Sequence, residues 1–332
     1  MMQIEKRTGI YWIFFLVLTV LMLAAGCGSE SKVTAIKLAH ALDISHPVHK
    51  GMVFMGQKVA EYSRGKMRVD IYPSGQLGNE RELIELLQIG SLAMTKVSTA
   101  PMEAFVPEMK IFGIPYLFRD SEHRWKVLNS AIGKRLLLAG ESFFLRGMCY
   151  YDAGARSFFT KDKPIITPDD LDGMKIRVMK SITSVNMVKA LGGSPTPIPY
   201  GELYTALQQG VVDGAENNLP SFYLSRHYEV CKYYSFDEHT SIPDILLMST
   251  IVWNRLSEQE QQWLQQAVDD SVEHQKNLWK TSTEESLKLV QEAGVEIVYP
   301  DKTPFVNAVQ SMHDSHKGTP IYDLIQEIKG IE

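Results

Sequence analysis

Strands and helices alternate in the pattern of apolar positions after residue 34. Residues 67–72 (Met-Arg-Val-Asp-Ile-Tyr) alternate apolar with polar side chains, which is typical of a half-buried strand, and residues 35–42 and 92–98 are two further predicted strands. Helices are predicted between them, one beginning near Pro47 and one capped by Asn79. This alternation implies parallel strands with right-handed crossovers, so the pattern predicts an α/β lobe.

A strand predicted in the middle of the chain carries an arginine near its end. Over residues 174–178, three apolar side chains alternate with Lys175 and Arg177. In open α/β sheets, ligands bind beyond the carboxyl ends of the strands, where a guanidinium can donate paired hydrogen bonds to a carboxylate. Taken by itself, however, the strand favours the simpler interpretation of a solvent-facing arginine.

The remaining pattern predicts one long helix and several shorter elements. The capping box formed by Ser257 and Glu260 begins a helix that continues to Ala293, where Gly294 ends it. A helix of this length exceeds a single lobe. The other predicted elements are an extended crossing segment (107–118), helices (122–145), strands (147–153, 211–214 with its turn, 245–252 and 295–299) and short helices (303–331).

Composition and charge narrow the class of protein. A chain of 332 residues suits two lobes better than one small core. Its 45% hydrophobic and 22% charged residues are ordinary for a soluble globular protein. The net charge of −5 and the lack of a basic run argue against a nucleic-acid-binding surface.

The first residues resemble an export signal. Lys6 and Arg7 precede an apolar run at 10–25, and small residues then lead directly to Cys27. We predict a lipoprotein-type signal peptide at 1–26, after which Cys27 becomes the lipidated first residue and holds the protein at the membrane surface. The alternative is an uncleaved membrane anchor. In both cases the folded part lies outside the cytoplasmic membrane, in the periplasm or on the outer face of the cytoplasmic membrane.

Two cysteines remain beyond the leader. An exported protein could pair Cys149 with Cys231, but Cys149 lies in an apolar run, which favours a buried free thiol. The sequence contains neither a Cys-x-x-Cys nor a His-Glu-x-x-His motif. We therefore expect no metal and no other cofactor.

Several motifs resemble the solute-binding subunit of TRAP transporters, the tripartite ATP-independent uptake systems for organic acids (the DctP-type family). The motifs are Gly-Met-Lys-Ile-Arg-Val (173–178), Pro-Tyr-Gly-Glu-Leu-Tyr-Thr-Ala-Leu-Gln (199–208), Asp-Gly-Ala-Glu-Asn-Asn (213–218), and the segments 72–82 and 112–118. They occur in the family's order, and the resemblance covers nearly all of the chain after the leader. It implies a two-lobed, periplasmic-binding-protein-like α/β fold with a ligand cleft between the lobes and a long strut helix spanning both.

The resemblance also implies how the chain is divided. After a tether at 27–34, residues 35–150 are expected to form mainly lobe one with a crossover, and residues 151–250 mainly lobe two. Residues 251–332 are expected to form the long helix and the C-terminal segments, which pack across both lobes.

The resemblance raises the weight of particular polar residues. Arg177 becomes a carboxylate ligand, and Arg156, in a Gly-x-Arg segment that otherwise looks like an ordinary surface loop, a second cation facing the cleft. Asn217 matches the family's ligand-contacting asparagine, and Tyr200 matches an aromatic residue that lies against the ligand's apolar edge. Glu80 matches an acidic residue that holds polar groups of the ligand, although by itself it suits a solvated helix start.

Three further residues complete the candidate ligand site. His40 ends the first predicted strand, where a plain hydrogen-bonding role is the simpler interpretation, and Asn218 follows Asn217 directly. Ser98 matches a contact position that is acidic in sialate-binding relatives, so the serine argues against sialate.

Together these features predict an exported receptor that captures an organic acid with an arginine–carboxylate clamp and delivers it to the membrane permease of a TRAP transporter. Glu80, His40 and the two asparagines offer partners for several hydroxyl groups, which favours a sugar acid such as a hexuronate. The alternative ligand is a C4-dicarboxylate gripped at both ends by Arg156 and Arg177.

Two other classes of protein remain as alternatives. A secreted hydrolase needs an activated nucleophile, but the sequence contains no Gly-x-Ser-x-Gly motif, so we expect no enzyme. A sensory ligand-binding module normally carries a membrane span and an output domain. Neither is apparent before Glu332, which favours a free-standing receptor.

Overall fold

The computed structural model describes residues 33–332. The predicted signal peptide, the lipidation site Cys27 and nearly all of the tether therefore lie outside the described residues. None of the helices in the described part combines the length and the apolar composition that crossing a membrane requires.

Eleven strands are present in residues 33–332. They are β1 (Thr34–Ala39), β2 (Met67–Tyr72), β3 (Met94–Ser98), β4 (Leu145–Tyr151), β5 (Arg156–Thr160), β6 (Lys175–Val178), β7 (Ser194–Pro197), β8 (Gly214–Asn217), β9 (Tyr233–Thr240), β10 (Asp244–Ser249) and β11 (Glu296–Val298).

Thirteen α-helices accompany them in the same residues. They are α1 (Pro47–Tyr62), α2 (Glu80–Gln88), α3 (Thr99–Met102), α4 (Ser121–Asn129), α5 (Ala131–Leu138), α6 (Ile182–Ala190), α7 (Leu203–Gln208), α8 (Leu219–Leu224), α9 (Thr250–Trp253), α10 (Glu258–Glu292), α11 (Thr303–Ala308), α12 (Gln310–Asp314) and α13 (Pro320–Lys329). Short 3₁₀ helices occur at Pro107–Gly113, Glu141–Phe143, Pro168–Leu171, Tyr200–Glu202 and His227–Glu229.

The strands form two separate mixed sheets. The first has the order β2-β1-β3-β10-β4, and the second has the order β11-β9-β5-β8-β6-β7. β1 and β3 are parallel as predicted, but β10 inserts between β3 and β4 and is antiparallel to both. In the second sheet β6 is parallel to β7 and β8, whereas β5 is antiparallel to β8 and β9. The chain thus crosses from the first sheet to the second after β4, returns to the first with β10 and enters the second again with β11.

Each sheet has its own hydrophobic cores, one on each face. Successive residues of β10 serve opposite faces, because Ile245 packs with α2 and Leu246 packs with α1. In the second sheet Phe158 and Phe159 divide in the same way between two cores. Two sheets with separate cores make two lobes, which confirms the predicted fold class.

The long helix α10 connects these cores. It begins at the capping box in which Ser257 and Glu260 bond reciprocally, as predicted. Its 35 residues extend for about 50 Å at the usual helical rise. Leu264 and Trp279 pack into a core of the first sheet and Val290 into a core of the second, so the predicted strut helix spans both lobes.

Several predicted elements differ from the structure. Residues 107–118, predicted to be extended, begin with the 3₁₀ helix Pro107–Gly113, whose apolar side chains pack into the first lobe. The strand predicted at 211–214 is instead β8, which starts at Gly214 and carries Asn217 at its end. Arg156 begins β5 instead of lying in a surface loop.

The two described cysteines are free and buried. Cys149 packs with the first lobe and Cys231 with the second, so the favoured interpretation of Cys149 as a buried thiol is confirmed. Burial raises the pKa of the Cys231 thiol to about 12, which keeps it protonated and unreactive.

Candidate functional site

A cavity lies between the two sheets, where β3, β6 and β8 end. Residues of both lobes line it, and the centre of a water molecule can move through about 40 Å³ of its interior, which is room for about three waters. Seven of the eight predicted site residues line this cavity: Glu80, Ser98, Arg156, Arg177, Tyr200, Asn217 and Asn218. His40 does not.

Arg177 is a buried cation without a full set of partners. It is 1% exposed, so a solvent-facing arginine is the wrong interpretation of this strand. Its Nε donates to the Ile198 carbonyl oxygen at 2.8 Å, while Nη1 has no hydrogen-bond partner among the described residues. Burial lowers the pKa of Arg177 to about 10, so the group is cationic at neutral pH. A buried, incompletely paired guanidinium is a strong attractor for an anion.

Arg156, in contrast, is already paired with a buried carboxylate. Its Nε and Nη2 donate to the two carboxylate oxygens of Glu216 at 2.5 and 2.9 Å, and Nη1 donates to Asn217 Oδ1 at 2.7 Å. Burial opposes ionisation of Glu216, but the Arg156 guanidinium and His239 hold its pKa at about 2. The positive charge of Arg156 is thereby largely neutralised, and sequence reasoning did not single out Glu216.

His239 and Asp237 extend this network behind the cavity. His239 Nδ1 lies 2.7 Å from Asp237 Oδ2, and Nε2 lies 3.5 Å from Glu216 Oε2. Burial disfavours the imidazolium, but the Asp237 carboxylate and Glu216 outweigh it and raise the pKa of His239 to about 9. The network of Arg156, Glu216, His239 and Asp237 therefore pairs two cations with two anions.

A second charged cluster faces the cavity from the first lobe. Lys96 is 3% exposed, and its Nζ lies 3.0 Å from Asp244 Oδ2 and 3.8 Å from Glu80 Oε1. Glu80 Oε1 also accepts a hydrogen bond from the Ser98 backbone N–H at 2.8 Å. Burial raises the pKa of both carboxyl groups, partly offset by the Lys96 ammonium.

Sequence reasoning missed Lys96 and Asp244. The sequence feature that could have indicated this site is a lysine in the middle of β3, a strand whose other residues are uncharged. Its partner Asp244 is 148 positions later in the chain, and β10 brings it alongside β3 through antiparallel pairing that the sequence pattern does not encode.

The remaining predicted residues supply neutral hydrogen-bonding groups. Asn217 Oδ1 accepts from Arg156 and from the Asn218 backbone N–H, which leaves its amide NH₂ group to donate to a ligand. Asn218 caps α8 by accepting from the Ser221 N–H at 2.9 Å. Tyr200 is held by a hydrogen bond between its hydroxyl group and Ser225.

His46, and not the predicted His40, lines the cavity. His40 is buried outside the cavity lining, where Nδ1 accepts from the Leu42 N–H and Nε2 donates to His49, so it stabilises the turn after β1. His46 lines the cavity instead. Its Nδ1 accepts from the Val48 N–H, which places the proton on Nε2, and Nε2 donates to Ser221 Oγ at 3.2 Å. This bond joins α1 of the first lobe to α8 of the second.

The family model for bacterial extracellular solute-binding protein family 7, DctP, matches residues 38–318. The chain belongs to this family. The resemblance predicted from the motifs is thereby confirmed.

Solved structures with the same fold include TRAP periplasmic solute-binding proteins with bound sugar acids. One from Bradyrhizobium sp. BTAi1, in complex with α/β-D-galacturonate, is 40% identical with a TM-score of 0.86 and covers 89% of this chain and 99% of that one. One from Xanthobacter autotrophicus Py2, with β-D-galacturonate, is 36% identical with a TM-score of 0.87, covering 90% and 100%.

A third, from Pseudomonas putida F1 with bound D-glucuronate, is 33% identical with a TM-score of 0.87 and covers 90% of this chain and 97% of that one. These neighbours are periplasmic binding proteins of transporters. This DctP-family protein shares their architecture over nearly its whole described length.

Proposed function

We propose that this DctP-family protein is the extracytoplasmic receptor of a TRAP transporter and that it captures a hexuronate such as galacturonate or glucuronate. The observation that carries this proposal is Arg177, a buried cation that lines the cavity between the lobes with Nη1 unpaired among the described residues. The uronates bound to the similar solute-binding proteins support the choice of ligand.

Arg177 is proposed to bind the carboxylate of the ligand. The Arg177 guanidinium is already buried in the ligand-free protein. A ligand carboxylate therefore gains a charge-assisted hydrogen bond without the free-energy cost of desolvating or reorienting Arg177. Arg156 Nη1 has a second N–H that can join this contact, while its other donors stay on Glu216 and Asn217. The proposed clamp is thus unequal, with Arg177 as the main anchor.

The charges opposite Arg177 favour hydroxyl groups over a second carboxylate. Glu80 and Asp244 both line the cavity and share only one ammonium group. A C4-dicarboxylate would bring a second negative charge towards them, whereas the hydroxyl groups of a sugar can donate to them. We therefore favour a hexuronate over the dicarboxylate.

Delivery and location complete the proposal. The protein is proposed to act without catalysis, to hand its ligand to TRAP permease subunits in the membrane, and to be held at the outer face of that membrane by a lipid on Cys27. The family and its periplasmic neighbours support the export and the transport role. The lipid anchor depends on the sequence pattern at 23–27 alone.

A thermal-shift screen tests the ligand class. Galacturonate and glucuronate are expected to raise the melting temperature in a concentration-dependent way, because they bind only the native state, and succinate and malate are expected to have little effect. The ligand recovered afterwards should be chemically unchanged. A rise with succinate or malate alone would favour the dicarboxylate, and a converted ligand would indicate an enzyme.

A further inference from the structure

Lys96 is a buried cation in the cavity lining that has no part in the proposed binding of the ligand carboxylate by Arg177. It belongs to β3, is 3% exposed, and lines the cavity from the lobe opposite Arg177. Its ammonium group has three N–H donors, and Asp244 accepts one at 3.0 Å. Glu80 Oε1, at 3.8 Å, lies beyond hydrogen-bond distance. Lys96 therefore retains donors for an acceptor that enters the cavity.

In the described part of the chain, the two carboxylates beside Lys96, Glu80 and Asp244, each have one oxygen that is free to accept a hydrogen bond. Glu80 Oε1 accepts from Ser98, and Asp244 Oδ2 pairs with Lys96, but Glu80 Oε2 and Asp244 Oδ1 have no hydrogen-bond donor within residues 33–332. Each of these oxygens can accept from a hydroxyl group. The cluster as a whole thus offers both donors and acceptors on one wall of the cavity.

We propose that the cluster Glu80–Lys96–Asp244 determines specificity by binding two neighbouring hydroxyl groups of the sugar acid and rejecting a second carboxylate. This inference rests on the proposed function. A hydroxyl group accepts from the ammonium of Lys96 while donating to Glu80 or Asp244, so a vicinal diol satisfies all three side chains.

The formal charge of the cluster explains the rejection. One ammonium and two carboxylates carry a formal net charge of −1 on side chains that are mostly buried, where repulsion between like charges is stronger than in water. A carboxylate placed against this wall can accept from Lys96 but leaves Glu80 and Asp244 facing an anion. The same wall offers a neutral diol only favourable contacts.

Galacturonate and galactarate serve as probes, because galactarate carries a second carboxylate in place of the anomeric carbon. Galactarate is an open chain whereas galacturonate is a pyranose ring, so the charge is tested by the change of their affinity ratio between variants. Isothermal titration with both gives a selectivity ratio for each protein. The wild type is expected to prefer galacturonate. Asp244→Asn, which keeps the shape of the side chain but makes the cluster neutral, is expected to reduce that preference at least about tenfold.

A second variant covers the possibility that a single substitution disturbs folding. Lys96→Met removes the ammonium donors, and it is expected to weaken galacturonate at least about tenfold while galactarate binding falls further. Asp70→Asn, which changes a carboxylate paired with Arg68 outside the cavity, is the matched control and should leave the ratio unchanged. Circular dichroism checks the fold of each variant.

The outcomes separate this inference from the function on which it rests. If the wild type binds galacturonate but folded Asp244→Asn and Lys96→Met keep its selectivity ratio and affinity, the cluster has no part in specificity. A wild type that prefers galactarate would also overturn the inference while leaving a sugar-acid receptor. A wild type that binds no sugar acid would overturn the proposed function and this inference together.

Discussion

Two arginines with the same predicted role have different environments. Arg156 donates four hydrogen bonds to Glu216 and Asn217, whereas Arg177 donates only from Nε, and its Nη1 has no partner among residues 33–332. The family resemblance of short motifs around each arginine predicted that both side chains face the cleft. It could not predict the difference, because Glu216 lies 60 positions from Arg156 and meets it only through the pairing of β5 with β8.

Arg177→Met tests the main anchor. We expect galacturonate affinity to fall about 30- to 5,000-fold, which corresponds to about 2–5 kcal/mol for truncating a buried charged partner. The melting temperature without ligand should be unchanged or higher, because an incompletely paired buried cation is removed. Calorimetry and thermal unfolding measure both effects. Arg135→Met, at an exposed pair with Glu327, serves as the control, and equal affinities in both variants would exclude the anchor.

His239 makes the stability of the network depend on pH. Its pKa is about 9 in the folded protein, above the ordinary value near 6.5, so its stabilising contribution is complete below pH 6.5 and declines as the pH rises through 9. We therefore expect the difference in unfolding free energy between wild type and His239→Gln to be largest near pH 6 and to shrink towards pH 9.5. Urea unfolding across this range measures it, and a constant difference would contradict a charged His239.

At the scale of elements, local signals were the most accurate. The caps Asn79 and Ser257 begin helices at the predicted positions, since the hydrogen bonds involved reach only three residues along the chain. β2 matches its prediction residue for residue. Long-range pairing was not accessible in the same way, so the antiparallel insertion of β10, which brings Asp244 to the site, was missed.

β8 shows why one strand was misplaced. The apolar pair Val211 and Val212 led to a strand predicted three residues too early. Val211 is 48% exposed, and the strand begins at Gly214. A Cβ atom at Gly214 would lie 2.5 Å from the Phe159 carbonyl oxygen, so the close approach of β5 requires glycine there. Gly214 contributes nothing to apolar periodicity, yet its close packing against β5 positions β8 and therefore Asn217.

Gly214→Ala should therefore disturb both the sheet and the site. We expect unfolding free energy to fall by about 1–3 kcal/mol, as in other overpacked positions, and galacturonate affinity to fall with it because β8 carries Glu216 and Asn217. Chemical unfolding and calorimetry measure these losses. Gly201→Ala is the control, since an added Cβ there meets nothing within 4 Å. Equal stability of the two variants would show that β5 and β8 can separate without cost.

At the scale of the whole molecule, the lobes touch through polar contacts beside the cavity. His46 bonds to Ser221, and Glu103, next to α3 of the first lobe, accepts from the Thr183 side chain at 2.6 Å and from its backbone N–H at 3.2 Å. Thr183 lies in the first turn of α6, where a carboxylate is stabilised by the helix dipole. These bonds link the two lobes in the arrangement that forms the cavity.

Because a ligand held between lobes leaves only when they separate, Glu103→Ala should act on ligand release. Losing hydrogen bonds to a charged group costs about 1.5–3 kcal/mol, which would destabilise the closed arrangement relative to an open one. We expect the dissociation rate of galacturonate to rise about tenfold or more in stopped-flow measurements, with the association rate nearly unchanged, because Glu103 does not line the cavity. In the absence of ligand, small-angle scattering should show a larger radius of gyration for Glu103→Ala than for the wild type.

Glu108→Ala removes an exposed carboxylate in the same region and should change neither the dissociation rate nor the radius of gyration. A Glu103→Ala protein with wild-type release would show that the ligand contacts alone hold the lobes together.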